Sequence, residues 1–270
     1  MVAAGGRAPA GPSRSDAIHP GADLTRTRRP TAALGAAVAC LAALTSCGTA
    51  PAAGVATPVP SDGAPSPATV AGTPHLAYAA LGASETYGAG AASITDGYAY
   101  RLRDDLHLAS ADFADVAIPG VTLGDAYQTE LTNALAVRPT LCTVFFGVND
   151  IRARVPLAQF TSDLTDLVGT LTRARAHVLV IGVPDLNDLP LVRSSGLTAL
   201  AEVTLQWNAA MRGVATAAGA GFLDLGPLSA ELAAHPEEIS PDGLHPSTVG
   251  HARLAALILA ELQSRGYTTP

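Results

Sequence analysis

The stretch that decides the fold reads Leu76-Ala-Tyr-Ala-Ala-Leu-Gly-Ala-Ser-Glu-Thr-Tyr-Gly-Ala-Gly90. Its apolar first half predicts a buried strand, which ends abruptly in small residues, a serine and a glycine-rich turn. Such a strand would deliver Ser84 to the carboxyl edge of a parallel sheet, where open α/β sheets bind their ligands. Ser84 is therefore the candidate nucleophile.

From His75 onward, apolar runs alternate with amphipathic segments, which is typical of a parallel sheet covered by helices. The apolar runs at 141–146 and 178–181 lack polar alternation, as expected for strands buried on both faces. Strands are predicted at 76–82, 113–118, 140–146, 177–183 and 221–224. Helices are predicted at 94–107, 122–136, 156–174, 198–218 and 247–265. The pattern predicts one α/β domain, with no sign of a repeat.

Local signals support several of these helix starts. Thr122 and Asp125 have the spacing of a capping box, Pro156 suits a first helical turn, and Ser247 is a plausible N-cap. The last helix carries a predicted core-facing stripe: Leu254, Leu257, Ile258 and Leu262.

The N-terminal part is predicted to be a targeting segment outside the folded domain. Arg26, Arg28 and Arg29 precede an apolar run at 31–44, which is short for a membrane-spanning helix. The run ends in Leu-Thr-Ser-Cys47, which resembles the lipobox of bacterial lipoproteins. This resemblance implies a signal peptide at 1–46, cleavage before Cys47, and lipidation of the Cys47 sulfur. An ordinary secretory signal is the alternative.

Residues 47–74 are rich in Ala, Gly, Pro, Ser and Thr, and cannot bury enough apolar surface to fold. They are predicted to form a tether, with the folded domain at 75–270. The expected location is extracytoplasmic, on the membrane through the lipid anchor only, or secreted if Cys47 is not lipidated.

Charge excludes some partners. The chain carries −7 overall, with sixteen Arg and no Lys. Five Arg and two acids precede Cys47, giving +3 there and −10 for the remainder. An acidic mature chain argues against nucleic acid as a partner. The three cysteines, Cys40, Cys47 and Cys142, suggest no disulfide framework and no metal spacing, and Cys142 is expected to be a buried small hydrophobe.

A serine hydroxyl needs a base, a group that orients the base, and donors for the oxyanion. Asp242 and His245 lie three residues apart in a turn bounded by prolines, where both side chains can face one cleft. Asn149 follows the third predicted strand, and Gly120 follows the second. Each feature alone reads as an ordinary turn. Their coincidence at one sheet edge favours a catalytic site.

Four blocks in this order resemble the SGNH or GDSL-type serine esterases and lipases: Gly82 to Gly88, Gly120, Gly147-Val-Asn-Asp150, and Asp242-Gly-Leu-His-Pro246. The resemblance implies a flavodoxin-like three-layer α/β/α sandwich with a five-stranded parallel sheet. It implies Ser84 as nucleophile, His245 as general base and then acid, and Asp242 as its orienting group. The oxyanion hole would consist of the Ser84 and Gly120 N–H groups and the Asn149 side chain.

The resemblance implies no metal and no cofactor, and we expect a monomer. The expected partner is the substrate, a small-molecule or glycan ester: a lipid ester, a short-acyl ester or an acetylated glycan. The loop at 183–189, which contains Pro184-Asp-Leu186, also looks like the loop after strand four in bacterial members of the family.

The sequence departs from the family at Ala83, where an Asp usually precedes the serine. This loss removes a polar group near the nucleophile, worth roughly 1 kcal/mol for one supporting hydrogen bond. Ala83 motivates an alternative, a surface-tethered binding protein on a catalytically degenerate scaffold.

Other sequence interpretations fit less well. A G-x-S-x-G elbow of the α/β-hydrolase type is absent. His235, His245 and His251 have no standard metal-site spacing, and His251 is expected to be a surface or packing residue. Among the aromatics, Phe146 and Trp207 are expected in the core, whereas Tyr87 could line a substrate pocket.

Overall fold

A computed structural model describes residues 75–196 and 200–268. The predicted signal peptide at 1–46, the lipidation site Cys47 and the tether at 47–74 lie outside these residues and stay predictions. The strands are β1 (Tyr78–Gly82), β2 (Phe113–Asp115), β3 (Leu141–Phe145), β4 (His177–Ile181) and β5 (Gly221–Leu223). The helices are α1 (Ser84–Tyr87), α2 (Tyr98–Asp105), α3 (Leu123–Ala136), α4 (Val148–Ala153), α5 (Leu157–Arg173), α6 (Pro190–Ser194), α7 (Leu200–Ala217), α8 (Gly226–Glu231) and α9 (Thr248–Ser264).

The five strands form one parallel sheet in the order β2-β1-β3-β4-β5. This is the flavodoxin-like strand order, and it confirms the predicted fold class. The chain moves from β1 outward to β2 and then returns to place β3 on the other side of β1. The loops that follow β1 and β3 therefore diverge at a crevice, which is where such sheets bind ligands.

Helices cover both faces of the sheet. One core cluster packs α3, α5 and α7 against the sheet and contains Phe146 and Trp207, as predicted. The opposite cluster packs α2 and α9 against the sheet around the fully buried Tyr78 and Tyr98. Because both faces are covered, the central strands are almost wholly buried. Cys142 is fully buried in β3, and burial raises the pKa of its thiol to about 12, as befits a structural cysteine.

The predicted helix starts are largely confirmed. Thr122 Oγ1 accepts from Asp125 N at 3.3 Å and donates to the Asp125 carboxylate at 2.8 Å. Ser247 Oγ accepts from Gly250 N at 3.2 Å. Pro156 is the residue before the first turn of α5 rather than a member of it.

Other details of the prediction are wrong. The predicted helix 94–107 is a 3₁₀ turn at Ile94–Asp96 followed by α2, because Gly97 adopts an extended conformation between them. Leu257 is 36% exposed, so of the four residues predicted to face the core from α9 only Leu254, Ile258 and Leu262 are buried. The short helices α1, α4, α6 and α8 had no periodic signal, because each spans six residues or fewer. Within the described ranges no helix has the length and hydrophobicity to cross a membrane.

Candidate active site

Ser84 is the first residue of α1 and directly follows the β1 end. Its N–H lies in the first turn, where an N–H has no partner inside the helix. Gly82 is required here, because a Cβ would lie 2.1 Å from Thr86 Oγ1 and 2.6 Å from the Phe145 carbonyl oxygen. The absence of a side chain at position 82 thus lets α1 fold back against the end of β3.

Asp242 and His245 form the expected pair. His245 Nδ1 lies 2.7 Å from Asp242 Oδ2, while Asp242 Oδ1 accepts from the backbone N–H groups of Leu244 and His245 at 2.8 and 3.0 Å. Because Nδ1 faces a carboxylate oxygen, Nδ1 carries the proton and Nε2 is left as the basic nitrogen. Desolvation favours the protonated acid, but these hydrogen bonds outweigh it and hold the pKa of Asp242 well below its usual range.

The loop after Ser84 packs against the turn that carries His245. A Cβ on Gly90 would lie 2.3 Å from the Pro246 carbonyl oxygen and 2.9 Å from His245 Cβ. The same loop is tied to the start of α9, where Ala92 N donates to Thr248 Oγ1 at 2.8 Å. In this structure the Ser84 hydroxyl donates to Glu85 Oε2 at 3.3 Å.

Asn149 lies in the first turn of α4, immediately after β3. Its side chain is buried, and Nδ2 has no hydrogen-bond acceptor within the described ranges. A small cavity beside it is lined by Ala83, Val121 and Gly147, which brings the loops after β1, β2 and β3 together. A buried amide donor without an acceptor is what an oxyanion site requires before substrate arrives.

Gly120 lies in the exposed loop between β2 and α3. Its φ of 83° favours glycine, whereas a Cβ would meet nothing within 4 Å. The glycine is therefore explained by backbone conformation and not by lack of space. Its neighbour Val121 contributes to the Asn149 cavity, so the loop does reach the site.

A second, apolar cavity of about 60 Å³ lies next to the candidate triad. Glu85, which follows Ser84, and Leu244 and Pro246, which flank His245, line one side of it. Leu189, Leu225 and Leu254 contribute to its apolar wall. Tyr87, the aromatic considered for a pocket, is 39% exposed and is not among the residues lining either cavity.

His251 was expected at the surface or in packing, but it makes two specific contacts with the nucleophile side of the site. It is fully buried on α9, its Nε2 lies 2.9 Å from the Ala89 carbonyl oxygen, and its Nδ1 accepts from Tyr98 N at 3.3 Å. The neutral imidazole thus joins the loop after Ser84 to α2 and α9. A sequence signal existed, because His251 falls on the buried stripe three and four residues before Leu254 and Ala255.

One group of side chains has the composition of a metal site. His235, Glu237 and Glu238 have ligand atoms within 4.8 Å of one another. However, Glu238 is bound by Arg253 Nη1 at 2.7 and 2.9 Å, and His235 Nδ1 lies 3.2 Å from Glu237 Oε1. Their existing partners explain this group without an ion. His245 and His251 are engaged elsewhere, as described above.

Comparison with known proteins identifies the family. The sequence profile of the GDSL-like lipase/acylhydrolase family matches residues 80–253. Comparison with curated protein sequences gives no match. The chain therefore belongs to the GDSL-like lipase/acylhydrolase family, and it is an ester-hydrolysing enzyme.

Several solved structures share the fold. A mutant of Axe2, an acetyl-xylooligosaccharide esterase from Geobacillus stearothermophilus, aligns with a TM-score of 0.56 and 18% identity over 69% of this chain and 94% of that chain. The esterase EstA from Pseudoalteromonas aligns with a TM-score of 0.57 and 16% identity over 70% of this chain and 98% of that chain. A lipase/acylhydrolase from Enterococcus faecalis aligns with a TM-score of 0.56 and 21% identity over 70% of this chain and 97% of that chain.

The buried His251 generates a test of stability against pH. Burial lowers its pKa below the ordinary 6.5, so the unfolded chain binds the proton more readily than the folded chain. The stabilisation from neutral His251 is complete above about pH 6.5 and is lost as the pH falls toward the folded-state pKa. We expect His251→Leu to lower the free energy of unfolding at neutral pH by roughly 1–3 kcal/mol and to reduce its decline in mild acid.

Urea unfolding on either side of pH 6.5 measures both effects. The control is His107→Asn, which removes an exposed imidazole outside the site and places a residue that tolerates the positive φ of 55° at that position. Parallel pH profiles for wild type and His251→Leu would contradict the assignment.

Proposed function

We propose that the enzyme hydrolyses carboxylic esters through an acyl intermediate on Ser84. The observation that carries this proposal is the buried Asn149 Nδ2, which has no acceptor in the part of the chain that the structure describes. It lies beside the loop of Ser84, and this loop packs against the Asp242–His245 turn. These groups supply the four requirements of acyl transfer: nucleophile, base, orienting acid and oxyanion donor.

In the proposed reaction, the Ser84 hydroxyl turns from Glu85 toward His245 and attacks the ester carbonyl carbon while Nε2 takes its proton. The carbonyl electrons move to oxygen, and the Ser84 and Gly120 N–H groups and Asn149 Nδ2 stabilise the oxyanion. Collapse breaks the ester bond, and the imidazolium gives its proton to the departing alkoxide. Water then repeats the sequence, releasing the carboxylic acid and free Ser84.

The cavity next to the triad favours a short acyl group. At about 10–15 Å³ for each water-sized group, its 60 Å³ holds roughly four to six non-hydrogen atoms. The apolar wall suits a methyl or short alkyl chain, whereas the Glu85 carboxylate would repel an anionic acyl group. Structures with the same fold include esterases for acetylated xylooligosaccharides and acetylated mannans, which supports an acetylated glycan as one candidate.

Labelling by a fluorophosphonate probe tests the nucleophile. The Ser84 oxygen should displace fluoride from phosphorus, so the wild type becomes labelled and loses its ester hydrolysis, whereas Ser84→Ala takes up no label. Ser93→Ala is the matched control, because Ser93 is an exposed hydroxyl nine positions along the same segment and should change neither result. Labelling that persists in Ser84→Ala would overturn the assignment.

Replacing Asn149 tests the oxyanion site. Asn149→Ala should lower kcat by roughly 10²–10³-fold, the usual effect of losing one oxyanion donor. KM should change little, because the donor acts on charge that develops only in the transition state. Steady-state kinetics with one nitrophenyl ester gives both constants. An unchanged kcat would mean that other groups bind the oxyanion.

A chain-length series of nitrophenyl esters tests the acyl site, with an acetylated glycan assayed in parallel. We expect kcat/KM to be greatest for acyl chains of about two to four carbons and to fall for longer chains, because the cavity is small. A hemisuccinate ester is the control for Glu85 and should react more slowly than the butyrate ester. A maximum at long chains would exclude this cavity as the acyl site.

A further inference from the structure

Glu130 is a buried carboxyl group that the proposed reaction does not use. It lies on α3, in a stripe that also contains Ala126, Leu131 and Ala134, and only 1% of its surface is exposed. An acidic residue at a core position is rarely buried without specific partners. Its contacts therefore need an explanation.

Its partners are two backbone N–H groups from different strand ends. Gly82 N donates to Oε2 at 2.9 Å, and Ile118 N donates to Oε1 at 3.1 Å. Gly82 is two residues before Ser84, and Ile118 is two residues before Gly120. One rigid carboxylate thus connects the strand that carries the nucleophile to the loop that carries a candidate oxyanion donor.

Two backbone hydrogen bonds also join these segments beyond the end of β2: Val116 N donates to the Ala80 carbonyl oxygen at 3.0 Å, and Ile118 N donates to the Gly82 carbonyl oxygen at 3.2 Å. Ile118 N is therefore shared between the Gly82 carbonyl oxygen and Glu130, whereas Gly82 N donates to Glu130. The backbone around Ile118 is positioned jointly by these backbone bonds and by Glu130. A displacement there would move Gly120 relative to Ser84.

The two contacts require a carboxyl group. Two N–H donors converge on separate oxygens, so both oxygens must accept, and an amide offers only one accepting atom. Burial raises the pKa of Glu130 to about 8, while the two N–H groups act in the opposite direction. Asp115 is the other acidic group that acts on it, and its own carboxylate accepts from Ala117 N at 3.2 Å.

We propose that Glu130 is a positioning residue that fixes the Ser84 and Gly120 loops at the spacing required for oxyanion binding. This inference rests on the proposed function of Ser84. Glu130 acts through the two backbone segments and does not touch the substrate. It supplies from α3 a polar support for the nucleophile strand, in a chain that has Ala83 where relatives carry an acid.

Glu130→Gln tests the proposal with an almost unchanged side-chain shape. One of the two N–H groups would face the amide NH₂ and lose its acceptor. We expect kcat to fall by about 10- to 100-fold with KM changed less than about threefold, the effect of a small displacement of catalytic groups. The rate of fluorophosphonate labelling should fall in parallel, because that reaction also uses the oxyanion donors.

The matched control is Leu131→Ala, on the same helix and in the core but outside the contact with Gly82 and Ile118. It should lower the unfolding temperature and leave kcat near the wild-type value. If Glu130→Gln lowers only the unfolding temperature, or leaves kcat and labelling unchanged, Glu130 is merely structural and the proposal is overturned. Failure of wild-type labelling at Ser84 would instead overturn the proposed function.

Hydrogen exchange of the wild type gives a measurement that needs no variant to fold. The Gly82 and Ile118 amides should exchange as slowly as the strand interior, although β2 ends before Ile118. Fast exchange of both amides would show that Glu130 does not hold them, and would overturn the proposal. In Glu130→Gln the loss of protection should be confined to the segments around these two residues.

Discussion

Backbone N–H groups that leave a buried parallel sheet must find acceptors, and this requirement shapes the entire active edge of the enzyme. Beyond the last ladder bond these backbone groups are buried or half-buried, so water alone satisfies them poorly. The chain meets the requirement with side chains from the surrounding helices and loops and, in one case, from β2 itself. The pairs are Gly82 and Ile118 with Glu130, Ala117 with Asp115, Leu123 with Asp150, Val183 with Asn208, and Asp185 with Ser229.

These pairings explain why an open, loop-built site can be geometrically defined. Asn208 clamps Val183 through both its amide groups, since Oδ1 accepts from Val183 N and Nδ2 donates to Val183 O, each at 2.8 Å. Each loop at the crevice is therefore held by a side chain on a packed helix or a neighbouring loop. Loop positions become as well determined as those of the helices behind them.

The acidic groups at this edge fall into two electrostatic classes. Burial raises the pKa of Asp115 and of Asp150 to about 6 in each case, so these carboxyl groups keep their protons to a higher pH than ordinary aspartates do. Asp242 differs because its hydrogen bonds to His245 and nearby N–H groups outweigh its desolvation and keep it ionised. The carboxyl group that the proposed function requires to be charged is thus the one next to the imidazole.

Much of this architecture was readable from the sequence. The strands and long helices were predicted because apolar runs and 3.6-residue periodicity extend over many residues. The starts of α3 and α9 were predicted because Thr122 and Ser247 have side chains that can cap a helix. The strand that ends at Gly82 also placed Ser84 correctly. What the sequence did not predict are contacts between distant segments. Glu130 and His251 each lie among the apolar residues of a helix, which the sequence shows. Their partners Gly82 and Ala89 lie 48 and 162 residues away, respectively.

Asn149 illustrates a cost of being ready to react. Its buried Nδ2 has no acceptor among residues 75–196 and 200–268, and an unsatisfied buried donor costs roughly 1–3 kcal/mol. The folded enzyme is therefore less stable than the same backbone would be with an apolar side chain of similar size at this position. Under the proposed function, that deficit disappears when the oxyanion binds, so a tetrahedral adduct at Ser84 would raise the free energy of unfolding. The same amide group would then lower the stability of the free enzyme and promote the reaction.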